Sequence, residues 1–414
     1  MMLEILCICL FGIVIGVFAG IIPGMHINTL LPFILFLGFW FKMAPHYVAI
    51  LIVSTSVTEI FVNFISSIFI GAPEANTALS VLPGHKLLLE GRGYEAIKLT
   101  VIGGIGGLIL TLAIISIFSL WFKALYKFSR AFIHWVIMGF VIFMIVSERK
   151  LRKILFASLI FLISGIFGFI CLNSSLVSQE NVLFPILTGF FGLSTLIISV
   201  SETSKIPKQE DDNKLKISKK EIAKSMFLGS VAGIFAGFLP AVGISEVASI
   251  AQYIGKMSEA RSFLITLSGI NIGNEVFSLI SLYLVSNPRS GPSVALQRIL
   301  GEINFFEVIL FIGIICFSSG IAALLTLFLG KKIPKYLEKI NYRILCLTMI
   351  IFLIFMIFLL TGIFGLLIAF TSTSIGLLCN YLKVRRSHCM GCLLFASILF
   401  FSGLDSTLAS FLSL

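Results

Sequence analysis

The chain has 414 residues, 58% of them hydrophobic and only 12% charged, with a mean hydropathy of +1.10. Soluble globular chains carry about 25% charged residues, so a soluble domain is excluded and an all-α polytopic membrane protein is expected. The net charge of +11 reads as Lys- and Arg-rich cytoplasmic loops rather than a nucleic-acid surface.

The N-terminal "MMLEILCICL" has no basic region and no small-residue cleavage site, so no cleaved signal peptide is expected. A membrane-spanning helix needs about 20 apolar residues. Candidate segments are 5–41, 46–70, 98–122, 131–147, 154–172 and 182–200, then 223–254, 262–286, 304–329, 342–360, 362–382 and 390–412. Between the two sets lies "ETSKIPKQEDDNKLKISKKE", which reads as a solvated linker. Three parts follow: a membrane repeat over 1–200, a cytoplasmic linker over 201–222 and a second repeat over 223–414.

The first segment of each set is interrupted. "GIVIGVFAGIIPGMHINTLLPF" carries Pro23-Gly24 inside an apolar run, and "GSVAGIFAGFLPAVGISE" carries Pro240-Ala241. Gly12, Gly16, Ala19, Gly20, Pro23 and Ile27 recur 217 positions later, and Glu59-Ile-Phe61 recurs 216 later as Glu275-Val-Phe277. A duplication is therefore expected. The Gly-x-x-x-Gly rows also suit close helix packing.

If each first segment is a re-entrant hairpin, five crossings remain per repeat and the repeats have inverted topology. One face then collects 24 Lys and Arg residues and the other 6. If the first segments cross once, the split is 14 to 16. Basic residues gather on the cytoplasmic side, so the expectation is two inverted repeats, each a broken hairpin plus about five transmembrane helices. Both termini then lie outside the cell membrane.

Broken helices inside a bilayer persist only where protein buries them or where they line a wet cavity, and at matching places in inverted repeats they point to a substrate site. Half-helix starts favour anions. The expected substrate residues are Gly24, His26, Asn28, Thr29, Ala241, Ser245 and Glu246. His26 also suits a base. Glu59 and Glu275 each stand fourteenth in a 25-residue segment, near mid-membrane, where an acid costs roughly 3 kcal/mol. With Asn63, Asn271 and Asn274 they suit Na⁺ ligation or a proton carrier, or a neutral acid bonded to a neighbouring helix. Lys86 and Arg92 on one face and Arg289 on the other suit gates that attract anions, or snorkelling surface charges. Cys389-x-x-Cys392 lacks a second pair at metal-site spacing and reads as core. No resident cofactor or metal is expected.

"GVFAGIIPG", Gly71-x-Pro73, Pro83-Gly84-His85-Lys86 and Gly91-Arg92 occur in order between the helices. In these motifs the chain resembles the large membrane subunit of tripartite tricarboxylate transporters, the TctA family, and most closely its shorter archaeal-type relatives. The resemblance implies ion-driven uptake of carboxylates by a permease, assisted by a small membrane subunit and an extracytoplasmic binding protein. Two alternatives stay open: a translocase for a polyprenyl-phosphate lipid carrier, suited by 41 Phe, and a membrane pyrophosphatase-type enzyme. The second needs an Arg and a Ser beside the hairpin, which "PGMHINT" lacks.

Overall fold

A computed structural model describes residues 2–22, 27–71, 77–118, 132–178, 181–201, 207–210, 215–238, 244–255, 259–285, 290–337 and 342–411. The tips at 23–26 and 239–243, with Gly24, His26 and Ala241, lie outside the described residues, as does Arg289.

Both interrupted segments are helix pairs. Helix α1 (Met2–Ile21) is followed by α2 (Ile27–Trp40), and then by α3 (Pro45–Ile65), which continues as a π-helical stretch to Ile70. Pro45 fits the first turn of α3, where its missing N–H has no helical partner to lose. After α4 (Val81–Leu89) come α5 (Gly93–Phe118), α6 (Ile133–Val146) and α7 (Leu151–Asn173). The part closes with α8 (Leu183–Leu187), a π-helical stretch (Thr188–Leu193) and α9 (Ser194–Ser201).

The later part repeats the order: α10 (Lys219–Phe238), α11 (Ile244–Ile254), α12 (Ala260–Val285), the short α13 (Gly291–Leu300) and the long α14 (Phe305–Leu337). Helix α15 (Tyr342–Tyr381), α16 (Gly391–Ser402) and α17 (Asp405–Phe411) complete it. Among the described residues seven helices are long and apolar enough to cross a membrane: α1, α3, α5, α7, α12, α14 and α15. The chain is a multi-pass membrane protein.

Directions follow from residue contacts. Along α1, Glu4 meets Tyr47, Gly12 lies against Leu51 and Ser54, Gly16 against Thr55 and Thr58, and Gly20 against Val62. Both numbers rise together, so α1 and α3 run parallel. Helix α2 returns, with Gly38 against Val48 near the start of α3. The α1–α2 pair thus begins and ends at one face, its deepest described contacts level with Asn63 and Ser66. Helices α10 and α12 are parallel in the same way, with Gly229 against Thr266, Gly233 against Ile270 and Gly237 against Asn274. Helix α5 runs antiparallel to α3, since Gly93 meets Phe69 and Gly104 meets Phe61. It runs parallel to α12, since Glu95 pairs with Arg261, Gly103 meets Ile265 and Gly107 meets Gly269. Helices α3 and α12 therefore run in opposite directions, and the α1 and α10 helices enter from opposite sides.

Small residues let these backbones touch, and hydroxyls tie them: Thr55 Oγ1 donates to Gly12 O (3.1 Å), Thr266 Oγ1 to Ser225 O (3.1 Å) and Ser230 Oγ to Gly107 O (3.3 Å). Helix α3 is enclosed along its whole apolar window and α12 nearly so, whereas 22% of the α15 window is buried. The acid-bearing helices are the core, and α15 faces outward.

Several sequence expectations need correction. The expected spans 342–360 and 362–382 are not among them: α15 is two helices that meet at Gly362, whose non-helical φ of 66° and ψ of −160° only glycine adopts readily. The expected span 390–412 divides at Gly403 into α16 and α17 of 12 and 7 residues, each too short to cross a bilayer. The linker is not simply solvated. Glu210 N donates to Gly91 O (2.8 Å), Gln209 bonds Gly93 N (2.9 Å) and Leu88 O (3.1 Å), and Lys216 N donates to Glu95 (2.7 Å). Its described residues Gln209, Glu210 and Lys216 are held because the α4–α5 turn and a buried carboxylate present matching partners.

Candidate functional site

Polar side chains line the touching faces of α3 and α12 although both helices lie deep inside. Glu59 is 1% exposed and Glu275 8%. Asn63, one turn beyond Glu59, donates Nδ2 to Glu59 Oε1 at 3.1 Å. Ser66 Oγ, with one proton to give, lies within reach of Asn63 Oδ1 (3.2 Å), Asn63 O (2.9 Å) and Gly20 O (3.1 Å). Polar contacts thus run from Glu59 to the end of α1, three residues before Pro23. The i, i+4 spacing on a helix brings the first pair together.

Glu275 is held from the other part of the chain. Ser56 Oγ, on α3, donates to Glu275 Oε1 at 2.8 Å. Because α3 and α12 are antiparallel, the hydroxyl about a turn before Glu59 comes level with the second acid. Glu275 also borders a cavity with Val53, Leu279, Ser290, Ser293 and Ile315. Ser290 and Ser293 form a reciprocal cap at the start of α13: Ser290 N donates to Ser293 Oγ (2.9 Å), and Ser293 N to Ser290 Oγ (3.3 Å). The helix start beside this cavity offers a positive dipole end toward an anion or carboxylate.

The other expected residues are less concentrated. Asn271 is buried and donates to Leu267 O in its own helix (2.9 Å), and Asn274 is half-buried beside Gly237. Ser245 is buried in the first turn of α11, and Asn28, Thr29 and Glu246 lie in the first turns of α2 and α11. Lys86 is exposed on α4. Arg92 is not an open gate cation. It is 4% exposed and pairs with Glu95 and with Glu210 (2.8 Å). Glu95 is shared with Arg261 Nε at 3.1 Å, so this cluster joins α5, α12 and the linker.

Ser56, Ser66, Ser290 and Ser293 escaped the sequence reading. Ser66 and Ser56 do stand at helical spacing from Asn63 and Glu59, which is a weak signal. Nothing in a single chain of letters says which hydroxyl faces the acid 219 positions away.

Contacts at the two ends separate the loops into two groups. Glu90, Arg92, Glu95, Glu210, Lys216 and Arg261 are interlinked, and Glu148 reaches Arg385 and His388. At the other group, Glu4 bonds Tyr47 (2.5 Å) and His46 bonds Glu307 (2.7 Å).

Comparison with known proteins gives a consistent outcome. The model of the family described as the tripartite tricarboxylate transporter TctA family matches residues 6–391. An uncharacterized protein of Methanocaldococcus jannaschii is 33% identical over 411 residues, covering 97% of this chain and 99% of its own. No solved structure matches the chain significantly.

Proposed function

The chain belongs to the tripartite tricarboxylate transporter TctA family, and from that premise we propose that it is a secondary carrier of small organic anions, carboxylates first. A transport role follows from the family. The substrate, the coupling ion and the mechanism below are our reading.

The carrying observation is the Ser56–Glu275 hydrogen bond of 2.8 Å between two oppositely directed, buried helices. Two acids of matching position, each beside a broken hairpin, suit an alternating-access device built from inverted repeats. Substrate is proposed to sit between the tips, at Gly24–Thr29 and Ala241–Glu246. Na⁺ or H⁺ is proposed to bind at Glu59 with Asn63 and at Glu275 with Ser56, where burial makes an uncompensated charge costly. Cation entry then favours the state that also holds the anion, which couples the two flows. The linker is proposed to lie in the cytoplasm and both termini outside, because basic residues gather on the cytoplasmic side. The grouping of loops by ion pairs supports that arrangement. A small membrane subunit and an extracytoplasmic binding protein are the proposed partners.

The test is uptake of radiolabelled di- and tricarboxylates by proteoliposomes under an imposed Na⁺ or H⁺ gradient. Gradient-driven accumulation is expected for the wild type and its loss for Glu59→Gln with Glu275→Gln. Accumulation unchanged in that double variant sinks the coupling assignment. Efflux of polyprenyl phosphate instead of carboxylate would favour the lipid-carrier alternative.

A further inference from the structure

The turn between α15 and α16 holds a cysteine pair that the carrier reading does not use. Cys379, near the end of α15, and Cys389, just before α16, are fully buried, and their Sγ atoms stand 3.2 Å apart. A disulfide needs sulfurs about 2.05 Å apart, so the two sulfurs must close by about 1 Å to be joined. Cys392, also buried, follows in the first turn of α16.

The same turn is an anchor for three other elements. Arg386 donates to Thr195 of α9, and His388 Nε2 lies 3.1 Å from Glu148 between α6 and α7. Arg385 stacks on the Tyr253 ring at 5.2 Å, and the Tyr253 hydroxyl lies 3.2 Å from Ser387 Oγ. Tyr253 ends α11, the second helix of the later hairpin. Whatever stiffens residues 379–389 therefore stiffens the footing of that hairpin.

We propose that Cys379 and Cys389 are a reversible disulfide site, oxidised by hydroperoxides and reduced by dithiols, that sets the mobility of α11. One thiolate attacks the O–O bond of hydrogen peroxide and takes one oxygen as a sulfenic acid. The other oxygen leaves as hydroxide and becomes water with the first thiol's proton. The second sulfur then displaces the sulfenic oxygen: the S–S bond forms, the S–O bond breaks, and that oxygen leaves as water with the second thiol's proton. The two sulfurs together lose two electrons, and the peroxide gains them. A dithiol reverses the step by exchange through a mixed disulfide. Tyr381 and Arg385 on the turn are exposed while both sulfurs are buried, so the oxidant reaches the pair when the turn opens locally.

The full chain, purified in detergent and treated with hydrogen peroxide, is to be unfolded and alkylated. Two of the eight thiols should be lost, with a peptide joined through Cys379 and Cys389 that dithiothreitol splits. Cys379→Ser and Cys389→Ser should each abolish the cross-link, and Cys392→Ser should keep it. Hydrogen exchange over residues 244–255 should slow several-fold on oxidation of the wild type and stay unchanged in Cys379→Ser. Eight alkylatable thiols after peroxide, or a cross-link through Cys392, overturns the site. An exchange rate over 244–255 that ignores oxidation, or that changes equally in Cys379→Ser, overturns its link to α11.

Discussion

Gly103→Ala places a methyl group where α5 meets α12. A Cβ there falls against the Ile265 carbonyl oxygen and 2.8 Å from both its carbonyl carbon and its Cα. Carbon pairs prefer about 3.5–4.0 Å, so the helices must separate by roughly 1 Å. The obstacle is backbone, which has no rotamer to turn aside. One turn on, a Cβ on Gly107 would lie 2.7 Å from Gly269 Cα, so the same separation loosens that crossing and the Ser230–Gly107 bond. Overpacking costs about 1–3 kcal/mol. An immovable neighbour puts this case at the upper end, offset by up to about 1 kcal/mol from replacing glycine inside a helix. A net loss of about 2 kcal/mol is expected. Gly139→Ala on α6, where a Cβ meets nothing within 4 Å, isolates the helix term and should be neutral or stabilising. Both are read from unfolding of purified protein in detergent, followed by helical circular dichroism. Gly103→Ala as stable as wild type, or equal losses at both positions, refutes the close approach of α5 and α12.

Glu95→Ala should destabilise by about 3–5 kcal/mol in the same assay, because it leaves the buried Arg92 short of its main counter-charge. Glu210→Ala, whose side chain is 48% exposed, should cost less than about 1 kcal/mol. Ser56→Ala should slow gradient-driven uptake by removing the donor to Glu275, whereas Ser54→Ala, whose hydroxyl bonds Ile50 O of its own helix at 2.8 Å, should leave uptake unchanged. Equal uptake in the two variants would detach Ser56 from the site. Burial pushes the His85 imidazole, whose Nδ1 lies 3.3 Å from Ile68 O, below its ordinary value. The unfolded chain then binds the proton more readily, so this stability is full above about pH 6.5 and declines as pH falls below it. His85→Gln should flatten that acid-side decline, and a slope unchanged by the substitution counts against the burial argument. Single cysteines near residues 90 and 216 should label from one side of sealed vesicles and cysteines near 46 and 304 from the other.

Much of the architecture was legible in the letters because it rests on strong local rules. Pro23 and Pro240 interrupt otherwise apolar runs, and helices do stop at Ile21 and Phe238 and resume at Ile27 and Ile244. The matching glycine rows suited close helix packing, and the structure sets them against α3 and α12 respectively. The helices α4 and α13 were hidden in stretches read as gate loops, since 9 and 10 residues of mixed polarity carry little periodic signal. Arg92 looked like an available cation, because its partners Glu95 and Glu210 lie 3 and 118 positions away and their orientation is a tertiary fact. The acids were legible by their cost in a membrane and Asn63 by its spacing from Glu59, whereas Ser56 is brought to Glu275 only by the fold. Cys379 shows the same limit: the nearby Cys389-x-x-Cys392 advertises itself, while the sulfur that touches Cys389 belongs to the preceding helix.

The hydroxyl that reaches across to Glu275 has no twin. Shifted by the 216 positions that relate the two acids, Ser56 falls on Ile272, which has no proton to donate, and Asn63 falls on Leu279. The earlier part therefore lends a hydroxyl to the acid of the later part from a position where the later part carries isoleucine. A chain with the earlier sequence in both parts would carry serine at both positions, whereas one with the later sequence in both would carry isoleucine at both. The two parts are not interchangeable at this position, because the bond from Ser56 to Glu275 has no counterpart in the sequence of the later helix.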